Sequence, residues 1–251
     1  MEEITRRPEV SHFHDASTPY LAEYDRDTPE GYSFRVRREK VLALLPDGSG
    51  KKILDLASGP GIMIKGLRAK NYTVTCVDAA PGMIELARKE ADNDPGVSCE
   101  VGDAYSLRFS DASFDSIVAM GLIEYLNDGD RYLSEMRRVL ASGGTLILTY
   151  PNVWSPWRMW NHILRALVLI FKRKHSGLLH REYTLRNAQT ALTQNGFEVN
   201  AVSYYNVKLV PLPLDRFFPS ATVRLSHAAE RLTQTPLKWL ATGFIVRAKK
   251  R

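Results

Sequence analysis

Short apolar runs alternate with amphipathic stretches through the middle of the chain. Lys52-Ile53-Leu54-Asp55-Leu56 reads as a strand, Gly61 to Lys70 as a helix and Thr73 to Val77 as a second strand. Pro81 to Asp92 follows as a helix with proline in its first turn, then strands at Ser98 to Val101 and Ser116 to Ala119. Gly129 to Leu140 is an amphipathic helix closed by Ser142-Gly143-Gly144, ahead of a strand at Thr145 to Thr149. The rhythm resumes with a helix at Thr184 to Asn195, stopped by Gly196, and strands at Phe197 to Tyr205 and Thr242 to Ala248. Such alternation predicts βαβ units, and hence an α/β fold on a mostly parallel sheet.

Outside this rhythm the pattern changes. Residues 1–50 are polar and mixed, with helices expected through Tyr20, Leu21 and Tyr24 and from Phe34 to Leu45, the latter ended by Pro46-Asp47-Gly48-Ser49-Gly50. A core is expected over 51–152, an insertion over 153–183, and the completion of the core over 184–251 with a second insertion near 207–237. In the first insertion Trp157, Trp160, Leu164, Leu167 and Phe171 recur at helical steps, beside Arg158, Arg165 and Lys172 at sevens. On a helix these form adjacent apolar and basic stripes. Trp154 and Lys172-Arg173-Lys174 extend that character. Two readings stay open: a lid helix over a substrate pocket, or an amphipathic helix lying in an anionic membrane surface. It cannot span a bilayer, because the run from Ile163 to Phe171 is short and holds Arg165.

Charge sharpens the division. Residues 1–135 carry 16 Lys and Arg against 24 Asp and Glu, whereas 136–251 carry 18 against 4, with no acidic residue between Glu135 and Glu182. The second half should therefore attract anions such as phosphate, a lipid headgroup or nucleic acid, unless the charge merely solvates a face. Cys76 and Cys99 are too few for a disulfide framework or structural zinc, and no other metal-ligand spacing stands out. With an acidic start lacking an apolar run, a cytoplasmic protein is expected, with peripheral membrane contact left open.

The strongest chemical signal is Asp55-Leu56-Ala57-Ser58-Gly59-Pro60-Gly61, placed after one strand and before a helix, with Asp78 ending the next strand. Gly59 and Gly61 permit close approach of backbone to a ligand, the helix start offers free N–H groups, and Asp78 can accept from two ribose hydroxyls. A dinucleotide fingerprint is not met, since Ile64 stands at the third glycine position.

With the motifs in order, the chain resembles class I S-adenosylmethionine-dependent methyltransferases, near the small-molecule enzymes of ubiquinone and menaquinone biosynthesis. Ile53 to Gly61 resembles the loop around the cofactor's methionine part, including Asp55, Ala57 and Ser58. Val77-Asp78-Ala79-Ala80-Pro81-Gly82-Met83 resembles the ribose-binding strand end, and Gly102-Asp103-Ala104 the adenine turn. Phe114 to Val118 and Arg138 to Gly144 resemble the fourth strand and the turn before the fifth. The resemblance implies a Rossmann-like, doubly wound seven-stranded sheet, mostly parallel with an antiparallel last strand and helical cap insertions. It also implies S-adenosylmethionine as cofactor, with Met120 and Gly121 beside it.

Two departures stand out. Ala57 replaces the family's first glycine, which adds a methyl group beside the cofactor's amino acid end and bears on affinity, although alanine adopts many of glycine's conformations. Glu124 stands where related enzymes often have histidine, and is either a proton acceptor near the reacting centre or a surface carboxylate. The resemblance also suggests that Tyr24 folds over the cofactor; the alternative is packing between the first helices and the sheet. His180 and Tyr183, before the resumed helix, are further candidates to act on an acceptor proton, His180 otherwise packing against that helix.

The expected activity is methylation of a small, apolar or amphipathic acceptor, with oxygen favoured: a lipid, quinone, natural product or lipid-linked sugar. A nucleic-acid methyltransferase is the alternative from the basic half, opposed by the lack of an Asn/Asp-Pro-Pro-aromatic motif after the fourth strand. A cofactor-binding module without turnover is the third reading. Nothing in the sequence sets the oligomeric state.

Overall fold

In a computed structural model, residues 7–171 and 180–251 are described, except the side chains of residue 165 and residues 167–171. Seven strands form one sheet in the order β3-β2-β1-β4-β5-β7-β6. They are β1 (Lys52–Leu56), β2 (Thr73–Asp78), β3 (Val97–Val101), β4 (Phe114–Ala119), β5 (Leu140–Pro151), β6 (Phe197–Tyr205) and β7 (Gly243–Lys250). Only β7 runs antiparallel to its neighbours. The expected α/β architecture and reversed last strand are thus present.

Alternate residues of the central strands feed two apolar layers, as the period of two requires. Leu54, Leu56, Ile117, Leu146 and Leu148 pack with Leu133, Met136 and Val139 of α6 (Gly129–Val139) and Leu192 of α8 (Leu185–Gln194). Ile53, Val74, Cys76, Val118 and Ile147 face the other way. They meet Val36 and Val41 of α3 (Pro29–Leu44), Leu67 of α4 (Ile64–Ala69) and Ala87 of α5 (Pro81–Ala91).

The N-terminal segment is more helical than its pattern suggests. It forms α1 (Pro8–Asp15) and α2 (Ser17–Asp25) before α3. In α1 only Val10 is buried, so no apolar stripe advertises the helix. α3 starts at Pro29 rather than Phe34, because the Thr28 side chain accepts from Gly31 N at 3.0 Å and caps it. Conversely, α4 starts three residues after Gly61, whose φ of 86° is not helical. Ser142-Gly143-Gly144 does not close α6. The helix stops at Val139, and the triplet is an irregularity inside β5: Leu140 pairs with Phe114 and Thr145 with Ser116, leaving Gly143 at φ 69° in the extra loop of strand.

The first insertion contains α7 (Pro156–Phe171). Its stripes are not arranged as expected. Trp160 is exposed with Met159 and Ile163, whereas Arg158 turns inward, donating from Nε to Thr242 O at 2.7 Å and from Nη1 to Glu182 Oε1 at 3.2 Å. A buried carboxylate is a better partner for that guanidinium than solvent beside an apolar face. Lys172, Arg173 and Lys174, and the side chains of Arg165, Leu167 and Phe171, lie outside what is described. Among the described residues, no helix is long and apolar enough to cross a membrane. The second insertion folds into α9 (Leu214–Phe217), α10 (Pro219–Ala229) and two 3-10 turns, Glu230–Gln234 and Pro236–Leu240.

Candidate functional site

Strand order reverses between β1 and β4, and in such sheets a crevice opens outside the carboxyl ends of the strands at that point. Here a cavity of about 290 Å³ lies there. Its floor is built by the turn after β1. Ala57, Gly59 and Gly61 all have positive φ, at 56°, 55° and 86°. Ala57 therefore does not occupy a conformation common to alanine, as the sequence suggested; it sits in the left-handed region that glycine prefers, at a cost of roughly 1 kcal/mol. The two glycines serve different ends. A Cβ on Gly59 would meet nothing within 4 Å, leaving the loop open to a ligand, whereas one on Gly61 would strike Ile64 Cδ1 at 2.7 Å and Ala87 Cα at 3.0 Å. Gly61 lets α4 pack on α5 and does not line the cavity.

Asp78 fastens this turn. Its Oδ2 accepts from Gly59 N and its Oδ1 from Ala80 N, both at 2.9 Å, so one carboxylate joins the loops after β1 and β2 while still facing the cavity. Burial raises its pKa, opposed by these N–H groups. Behind the turn, Asp55 is fully enclosed, with Oδ2 unpartnered. Burial, followed by repulsion from Asp78, pushes its carboxyl up to about 7. Ser58 is buried next to it; neither lines the cavity.

At the far end, Asp103 accepts from Tyr105 N at 3.1 Å and is clamped by Arg7, with Nη1 to Oδ1 at 3.1 Å and Nη2 to Oδ2 at 2.7 Å. Arg7 precedes α1, which closes the cavity from above. Val10 of that helix packs on Ala80 and Met83, and Gly82 N donates to His14 Nδ1 at 3.0 Å. Nothing in the pattern of this segment marks a partner in the turn after β3, 96 residues away.

The inner wall holds a buried charge pair region. Arg37 of α3 is buried with Nε unpartnered and lies against Gly121, whose Cβ would fall 3.1 Å from Nη1. Burial works against its charge, but Tyr205, Tyr24, Tyr20 and Glu124 outweigh it and hold the guanidinium ionised. Glu124, in the turn Ile123–Tyr125, is 6% exposed and has an unpartnered Oε2, so it is not a surface carboxylate. Arg37 is the functional candidate missed in the sequence. An arginine inside a helix with Arg35 and Arg38 reads as solvated charge until the helix is docked on the sheet.

The cavity thus brings together Ala57, Gly59, Asp78, Ala79, Met83, Gly102, Asp103, Ala104, Met120, Gly121, Glu124 and His180. Tyr24 is not among them: it is buried and stacked on Phe34, ring centroids 4.6 Å apart, while Tyr20 lines the cavity. Tyr183 also stands away, with its hydroxyl donating to Ile123 O at 3.1 Å and its ring against Tyr150. His180 lies edge-on to Tyr125 at 5.8 Å and borders both this cavity and a second chamber beneath α7. Among the described residues, no group of three or more His, Cys, Asp or Glu side chains could hold a metal ion.

Residues 54–148 match the model of a family described as a methyltransferase domain. Demethylmenaquinone methyltransferase of Thermotoga maritima is 37% identical over 114 residues, 44% of this chain and 48% of the relative. Ajmaline N-methyltransferase of Rauvolfia serpentina is 32% identical over 108 residues, 41% of this chain and 37% of the relative. The chain spans about half the length, or less, of these curated relatives. A solved S-adenosylmethionine-dependent methyltransferase of Thermotoga maritima superposes with a TM-score of 0.64 at 18% identity, covering 95% of this chain and 98% of its own. That likeness establishes a shared fold.

Proposed function

We propose, from the premise that residues 54–148 form a class I S-adenosylmethionine-dependent methyltransferase domain, that the protein methylates a small apolar or amphipathic acceptor, with oxygen the favoured acceptor atom. The supporting observation is the meeting, in one cavity, of an open Gly59 turn, two carboxylates 25 residues apart in sequence and a buried guanidinium lacking a partner at Nε. These groups fit the methyl donor. Arg37 would hold its carboxylate, Asp78 would accept from the ribose hydroxyls and Asp103 from the adenine amino group, with Met83 and Met120 along the apolar edges.

When bound, the donor supplies an activated methyl group on a sulfonium. The chain's own task is then to align the acceptor opposite the carbon–sulfur bond and to exclude water. Tyr125, Phe34 and His180, which the cavity shares with the second chamber, would orient it. An acceptor hydroxyl that takes up this methyl group would give up its proton to a group of the chain. Glu124, which lines the cavity with an unpartnered Oε2, would take that proton. His180 is the second candidate; Tyr183, already donating to Ile123 O, would need to break that bond first.

The exposed Trp154, Met159, Trp160 and Ile163 around α7 support an apolar or amphipathic acceptor, whether that face covers the acceptor or rests on an anionic membrane. Incubation with labelled S-adenosylmethionine and lipid or soluble extracts of the source, followed by product identification, tests the reading. A labelled small molecule or lipid is expected. Labelled nucleic acid, or cofactor binding without any product, would overturn it.

A further inference from the structure

The second chamber, of about 440 Å³, opens from the cofactor cavity and shares Ser33, Phe34, Tyr125, Arg158, His180 and Thr242 with it. Whatever enters there lies beside the reacting end of the main cavity. Its deeper wall carries Lys208, a residue no motif singled out. The backbone before it is pinned: Asn206 N donates to Glu230 Oε2 at 3.0 Å, and Asn206 Nδ2 donates to Ser33 Oγ at 2.8 Å and Thr242 Oγ1 at 2.9 Å.

The Lys208 side chain is only 6% exposed, yet its ammonium donates no hydrogen bond among the described residues. Its nearest carboxylate, Glu30, is 3.9 Å away and half exposed, and Nζ lies 4.4 Å from the centre of the Trp157 ring. A lysine has three donors, and among the described residues only this long ion pair and the Trp157 ring engage them. Burial lowers its pKa, while Glu30 and the buried Asp215 act in the other direction. The other charges do not meet this need. Glu182 is engaged by Arg158 at 3.2 Å and His162 at 3.1 Å, and Arg216, exposed at the rim, makes no ion pair among the described residues. The chamber therefore presents an under-coordinated cation inside and another at its mouth.

The rim is apolar. Trp160 Nε1 donates to Leu212 O at 2.8 Å, and the segment bearing Leu212 and Arg216 also bears Phe217 and Phe218, 72% and 62% exposed.

We infer that this chamber binds an anionic group of the methyl acceptor, a carboxylate or a phosphate, through Lys208, with the acceptor's apolar part leaving past Leu212 and Trp160. That the occupant is the acceptor rests on the methyltransferase reading; that the chamber selects an anion on an apolar stem does not. An ammonium facing a low-dielectric pocket gains from a charge-assisted bond that a neutral ligand cannot offer.

Calorimetry with three probes, octyl phosphate, octanoate and octanol, tests this on protein saturated with S-adenosylhomocysteine. At least one anionic probe is expected to bind about tenfold more tightly than octanol, and the preference between the two anions identifies the source chemistry. Lys208→Met should remove that advantage while leaving octanol binding unchanged, and Lys208→Arg should restore part of it. Equal binding of all three probes, or an anion preference that survives Lys208→Met, overturns the assignment. Should Lys208→Met fail to fold, Arg216→Gln, exposed at the rim, is expected to weaken the anionic probes about threefold and octanol not at all. Failure of S-adenosylhomocysteine to bind would sink the methyltransferase reading separately, since the probes can also be titrated against the free protein.

Discussion

Arg7 and Asp103 meet at the edge of the main cavity, guanidinium and carboxylate joined by two hydrogen bonds of 3.1 and 2.7 Å. The pair ties α1 to the turn after β3, so residues far apart in sequence close one end of the cavity. Lid segments of this kind commonly set the rate of ligand release. Arg7→Gln is expected to speed dissociation of S-adenosylhomocysteine by about fivefold, the value of a partly exposed ion pair of ~1 kcal/mol. Stopped-flow release measures it, and an unchanged rate would mean that the pair does not hold the roof.

Asp78 both faces the cavity and accepts from Gly59 N and Ala80 N. Asp78→Ala should lower cofactor affinity by about 1.5–3 kcal/mol, through two charge-assisted bonds to the ribose. Calorimetry on folded variant protein is the check; wild-type affinity would contradict the assignment.

Asp55 supplies a pH-dependent stability term. Its folded pKa of about 7 lies above the ordinary value of 3.8, so the folded protein binds the proton more tightly than the unfolded chain does. The neutral acid costs nothing below 3.8. Stability is then lost as pH rises from 3.8 towards 7, and the full penalty persists above 7. Asp55→Asn removes that penalty, and is expected to gain on the order of 2–4 kcal/mol relative to wild type between pH 4 and pH 8. Urea unfolding at both pH values decides; a difference independent of pH would show that Asp55 does not titrate in this window.

Ala57 at φ 56° stores strain that glycine would not. Ala57→Gly should stabilise the protein by up to about 1 kcal/mol, less the extra freedom of glycine in the unfolded chain. A lower melting temperature in the variant would show that the alanine methyl contributes packing that outweighs the strain.

Glu124→Gln preserves shape and removes the proton-accepting charge. Once the acceptor is known, turnover should fall by about a hundredfold with cofactor affinity retained, the range of general-base contributions. A parallel fall in melting temperature and cofactor affinity, with turnover preserved in the folded fraction, would assign Glu124 to supporting Arg37 alone.

The sheet was legible because alternating βαβ periodicity is a local signal, as was the floor of the cavity, where Asp55 to Gly61 and Asp78 lie next to strand ends. What could not be read was long-range. Arg7 reaches Asp103, and Arg37 comes against Gly121, only after α1 and α3 dock, and neither helix carries a pattern that names its partner. Tyr24 and Tyr20 lie four residues apart on the same helix, and only docking decides which lines the cavity. Arg158 turns towards the interior because Glu182 and Thr242 O wait there, which no local pattern announces.

The two chambers share Ser33, Phe34, Tyr125, Arg158, His180 and Thr242 but otherwise draw on different stretches of chain. The floor of the first comes from strand-end turns between residues 56 and 126, whereas Lys208, Leu212 and Arg216 line the second alone. Substitutions at Lys208, Leu212 or Arg216 can therefore reshape the second chamber without touching the strand-end turns of the first. Two neighbouring spaces with separate walls can be tuned one at a time.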